Sequence, residues 1–224
     1  MAWEGSVLPW RFLKKYLKPE QSHNTLLNLG WSQLPLLAVD LELTGLNPKE
    51  DKIVSVGWIE GVGSSMALSS AFHTHIQGAQ QLKQSPIIHG ITASEIAEGV
   101  PLQAPLEVLA NYAKSHIWVM HCCALDWQML HKSYMEQQML SPKPVIVDTL
   151  LLERYLLAKS GDTHSPVDLS RARLRHGLPN AHAHNALDDA AATLELLFAQ
   201  VSRLGLTAQS NIKALKHTGA LKAL

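Results

Sequence analysis

Apolar residues along this chain recur first with the period of strands and then with the period of helices. PLLAVDLEL (35–43) is apolar enough for a buried strand, and TGLNPKED after it supplies turn chemistry. DKIVSVGWIE (51–60) and MALSSAFHTHI (66–76) read as two further strands, completing a meander. The pattern then turns helical. SPIIHGITASEIAEGV reads as a loop with a short helix, 105–114 as an amphipathic helix and HIWVM (116–120) as a short buried strand. Residues 124–138 place Leu125, Met129 and Leu130 on one helical stripe. Residues 144–158 form a strand then a helix, with Asp148 or Thr149 as its N-cap. Helices near 167–176 and 185–203 follow. This order predicts an α/β fold, a mixed sheet with helices packed on it. The expected organisation is an N-terminal helical appendage (1–34), a main domain (35–206) and a C-terminal tail (207–224).

The 224 residues, 46% hydrophobic, suffice for one such domain with a sizeable core. The longest apolar runs are broken by acids well short of a membrane span, and the basic residues of MAWEGSVLPWRFLKK follow the apolar ones, unlike a signal peptide. Cys122 and Cys123 are adjacent and unsuited to bridging each other, so a reduced cytoplasmic setting is expected. Net charge is zero, which argues against coating long nucleic acid by bulk electrostatics but allows a grip on a few nucleotides. Positive charge is clustered in Arg11–Lys18, in Arg171, Arg173 and Arg175, and in Lys213, Lys216 and Lys222.

Candidate chemistry lies in three places. Asp40 and Glu42, two apart on a strand, point to one face. Paired carboxylates on an apolar strand are costly to desolvate unless a cation sits between them; otherwise the strand ends there and both face water. Asp126 opens a helix just past a buried strand, as a site residue or as a first-turn acid favoured by the helix dipole. Leu187, Ala190, Ala191, Leu194, Leu197 and Phe198 form the apolar stripe of the last helix; Asp188 and Asp189 both fall off it, so periodicity does not choose between them. His184 precedes that helix, as a proton acceptor near neutral pH or as part of a polar loop. Gln33-Leu34-Pro35-Leu36-Leu37 has a passing likeness to a sliding-clamp-binding peptide, but reads as lead-in to the strand of Asp40.

Taken in order, these residues resemble the DEDDh 3′–5′ exonuclease family, whose best-known member is the proofreading epsilon subunit of bacterial DNA polymerase III. Its first motif reads here Asp40-Leu41-Glu42-Leu43-Thr44-Gly45-Leu46, its second His121-Cys122-Cys123-Ala124-Leu125-Asp126, and its third His184-Asn185-Ala186-Leu187-Asp188-Asp189-Ala190. HGIT (89–92) and Asp148-Thr149 belong to the same likeness, which spans about 35–203. Cys122 stands where the family usually has Asn, Leu125 where it has Phe, and Leu43 where it has Thr.

The resemblance implies a ribonuclease H-like sheet, three antiparallel strands then parallel ones. It implies that Asp40, Glu42, Asp126 and Asp189 ligate two Mg²⁺ or Mn²⁺ ions, that His184 is the general base, and that Thr44 and Leu46 contact the terminal nucleotide. The expected activity is 3′–5′ hydrolysis of single-stranded or frayed DNA, or RNA, to nucleoside 5′-monophosphates. Expected partners are nucleic-acid 3′ ends and replication or repair proteins, with no membrane. The alternatives are an RNA exonuclease like RNase T or oligoribonuclease, and a non-catalytic replisome adaptor.

Overall fold

The computed structural model describes residues 21–78, 98–180 and 185–223. The HGIT run, His184 and the Arg11–Lys18 cluster lie outside them. The described elements are α1 (His23–Asn28), β1 (Pro35–Leu43), β2 (Ile53–Val62), β3 (Ser65–His75), α2 (Gln103–Tyr112), β4 (Ile117–Met120), α3 (Cys123–Glu136), β5 (Val145–Asp148), α4 (Thr149–Lys159), α5 (Leu169–Arg175), α6 (Ala186–Arg203) and β6 (Leu221–Ala223). Short 3₁₀ turns span Trp31–Gln33 and Ile212–Thr218.

One sheet holds the strands in the order β3-β2-β1-β4-β5-β6. The first three strands form the antiparallel meander, and β4 and β5 add to β1 in parallel. This is the ribonuclease H-like mixed sheet. The sequence pattern did not announce β6, which pairs antiparallel with β5 from within the C-terminal tail. Three residues are too few for a periodicity, and only the edge of β5 makes them a strand.

β1 is central and covered on both faces, which is why it reads as a nearly continuous apolar run. Its odd positions, Leu37, Val39 and Leu41, pack with Val56 and Trp58 of β2 beneath α2 and α3. Its even positions, Leu36 and Ala38, pack with Ile59 beneath Ala190, Leu194 and Leu197 of α6. Leu26, Trp31 and Leu34, and Ile212, Leu215 and Ala220 near the other end of the chain, are buried on this second side. The clamp-like run therefore forms wall and strand: Leu34, Leu36 and Leu37 are fully buried. No helix among the described residues is long and apolar enough to cross a membrane.

Candidate metal centre and active site

The face of β1 that lies under α6 carries two acids after Leu36 and Ala38, namely Asp40 and Glu42. α6 begins at Ala186, its cap being Asn185, whose side chain accepts the amides of Leu187 (3.0 Å) and Asp188 (3.3 Å). From that capped first turn Asp189 faces the strand, while Asp188 is exposed. One carboxylate oxygen from each of Asp40, Glu42 and Asp189 lies within 4.8 Å of the others. His184 is the residue before the cap.

Asp126 stands in the first turn of α3, just beyond β4. Burial holds Asp40 far above the usual carboxylate range, and the charges of Asp126, Asp189 and Glu42 add to the rise. Burial, then Asp189 and Asp126, push Glu42 up to about 8; burial, then Asp148, push Asp126 up to about 7. Four acids crowded where each opposes the ionisation of another need positive charge among them to be fully ionised. An all-oxygen donor set of this density suits a hard divalent cation such as Mg²⁺ or Mn²⁺ rather than a thiolate-seeking one.

The loop leaving β1 is tied inward. The Thr44 hydroxyl donates to Asp51 Oδ1 (2.9 Å) and accepts the Lys52 amide (3.0 Å), and the Thr44 amide donates to the Lys52 carbonyl. Asp51 Oδ2 accepts the Asn47 amide (2.8 Å), and Lys132 Nζ donates to the Asp51 carbonyl (2.9 Å). At the tip of this braced loop Leu46 is 82% exposed.

The turn that carries Asp126 is held by a residue whose sequence signal was for a different helix. Asp148 caps α4 through the amides of Leu150 and Leu151, and the same carboxylate also accepts those of Cys122 (3.2 Å) and Cys123 (3.1 Å) at the start of α3. His121 spans the same junction. Burial lowers its pKa, and its ring joins the two segments: Nε2 lies 2.9 Å from the Val167 carbonyl, and Nδ1 shares a 2.9 Å hydrogen bond with the Thr149 hydroxyl, which also reaches the Met120 carbonyl at 3.2 Å. The arginines upstream of His184 are also spent internally. Arg173 pairs with Glu195 (2.7 Å) and donates to the Ala192 carbonyl, Arg175 pairs with Glu153 (2.9 Å), and Arg171 with Asp168 (3.1 Å). Arg173 thus anchors α5 to α6 and Arg175 anchors it to α4, while Arg171 pairs with the cap of its own helix at the surface.

The family model of RNase_T, described as an exonuclease, matches residues 37–197. The chain belongs to the RNase_T exonuclease family, in its DEDDh type. Among curated proteins it is 27% identical over 187 residues to the PolC-type DNA polymerase III of Thermotoga maritima, covering 81% of this chain and 13% of that protein. It is 28% identical over 164 residues to the 3′–5′ exonuclease DinG of Staphylococcus aureus, covering 71% of this chain and 17% of that one. The chain thus spans less than a fifth of the length of these relatives. Solved structures share the fold. They include Exonuclease X in complex with 5′ overhanging duplex DNA (TM-score 0.59, 20% identical, 78% of this chain and 95% of that one) and E. coli Exonuclease I with a dA16 oligonucleotide (TM-score 0.63, 16% identical, 76% and 41%).

Proposed function

We propose that this chain removes nucleotides one at a time from the 3′ end of single-stranded or frayed DNA, releasing nucleoside 5′-monophosphates. The observation that carries this reading is the meeting of Asp40, Glu42 and Asp189 within 4.8 Å in a chain of the exonuclease family. DNA is favoured as substrate because the matched relatives include a DNA polymerase, and the fold neighbours include complexes with DNA.

In this reading Asp40, Glu42, Asp189 and Asp126 hold two divalent cations, Mg²⁺ or Mn²⁺. Such ions, when bound, make water a competent nucleophile at neutral pH and stabilise charge on the departing 3′ oxygen. His184, next to the cap of the helix that carries Asp189, takes the proton of the attacking water. Leu46 wedges beside the terminal base. Thr44, its hydroxyl engaged with Asp51, serves the nucleotide by holding the Leu46 loop in place.

The test is digestion of 5′-labelled single-stranded DNA and RNA of one sequence with Mn²⁺, beside Asp40→Ala and EDTA controls. A ladder shortening from the 3′ end of DNA faster than of RNA supports the proposal, and a faster RNA ladder moves the substrate to RNA. No cleavage of either by folded protein would overturn it and favour the adaptor reading. His184→Ala should lower the rate by orders of magnitude with Mn²⁺ affinity nearly unchanged. Loss of Mn²⁺ binding instead would make His184 a ligand.

A further inference from the structure

Gly57 lies on β2 directly opposite Asp40 in the antiparallel register, on the face that α6 covers. A Cβ placed on it would overlap the carbonyl carbon of Ala186 and the amide nitrogen of Leu187, and would lie 2.5 Å from the Ala186 carbonyl oxygen. All three are backbone atoms of the first turn of α6, so no side-chain rotation relieves the overlap. Ala186 itself is fully buried, as is Ala190 one turn on, so small residues on both sides let helix and sheet touch here.

We infer that Gly57 is a positioning residue for the carboxylate cluster: the missing side chain lets the first turn of α6 sit directly on β2, and this contact brings Asp189 to Asp40 and Glu42. Asp189 follows Ala186 by three residues, so it moves with that turn. A methyl group at 57 forces the turn outward by on the order of 1 Å to restore ordinary carbon contacts. That is enough to separate carboxylate oxygens that must share a cation. The dependence is local. Gly61 lies on the same face of β2, and a Cβ there would meet chiefly the end of the flexible Leu194 side chain, at 3.0 Å, and Ser65 O at 3.1 Å. The inference rests on reading the acids as a metal site.

Calorimetric titration of the full chain with Mn²⁺ tests it. Gly57→Ala should bind Mn²⁺ at least tenfold more weakly than wild type, and Gly61→Ala within about threefold of it. If the loss is one of reach, the longer acid should compensate: Gly57→Ala/Asp189→Glu should bind more tightly than Gly57→Ala, although Asp189→Glu alone binds more weakly than wild type. Wild-type affinity in Gly57→Ala, or equal losses in Gly57→Ala and Gly61→Ala, would overturn the inference and leave the metal site standing. No Mn²⁺ binding by the wild type would overturn both. Should Gly57→Ala not fold, Asn185→Ala loosens the same turn by removing its cap, and wild-type affinity in that variant would overturn the inference equally.

Discussion

The Asp148 carboxylate accepts the amide of Cys122 at 3.2 Å across 26 residues of chain, while capping its own helix α4. One buried side chain thereby satisfies the amino termini of two helices and seats the turn that leads to Asp126.

Asp148→Ala should cost roughly 2–4 kcal/mol, the loss of two caps with buried amides left unpaired. Urea unfolding measures it. A cost below 1 kcal/mol would show that water replaces the carboxylate.

Cys122 has φ +64, in the left-handed region where a Cβ is strained and asparagine is tolerated. It is exposed, so its replacement loses no packing. Cys122→Asn, which restores the residue usual in the resembled family, should raise stability by about 0.5–1 kcal/mol with the urea m-value unchanged.

Asp189→Ala should abolish cleavage and Asp188→Ala should retain most of it, because only the former residue joins Asp40 and Glu42. Asp189→Ala also removes a negative charge that raises both neighbours' pKa values. The metal-free variant should therefore melt higher than the metal-free wild type, while gaining nothing from Mn²⁺. Differential scanning calorimetry with and without Mn²⁺ reads both effects.

Two sets of carboxylates give the metal-free protein opposite pH limbs. Burial opposes ionisation of Glu153, but hydrogen bonds from His176, Gln200 and Arg175 outweigh it and bring the group down to about 2. Its stabilisation is complete above the ordinary value of 4.5 and is lost as pH falls toward 2. Glu42, raised from 4.5 to about 8, retains a proton that the unfolded chain has given up, so stability falls as pH rises from 4.5 to 8. Melting temperature in EDTA should thus peak near pH 4.5–5. Bound Mn²⁺ should flatten the upper limb, and a melting temperature in EDTA still rising to pH 8 would contradict this.

Leu46→Ala should leave stability within about 0.5 kcal/mol, since the side chain is largely in water. If Leu46 wedges against the terminal base, KM on single-stranded DNA should rise several-fold; an unchanged KM and kcat would remove the residue from the site.

Much of this protein was legible without coordinates, because alternation and helical spacing are local. They located β1 to β5 and the helices from α2 to α6 within a few residues, put Asp40 and Glu42 on one face, and offered Asp148 as a cap. Other features depended on which surfaces meet. Periodicity left Asp188 and Asp189 equivalent, both off the apolar stripe; the docking of α6 on β2 turned one to the carboxylates and the other to water. Gly57 carried no signal in a strand pattern, and its role exists only against the backbone of Ala186 and Leu187. The sequence showed Arg171, Arg173 and Arg175 only as a cluster of positive charge, and the packing of α5 pairs Arg173 with Glu195 of α6 and Arg175 with Glu153 of α4. A side chain's direction relative to its own element follows from backbone geometry. What lies in that direction is decided by long-range packing, and here packing assembled the acids that the sequence had only spaced.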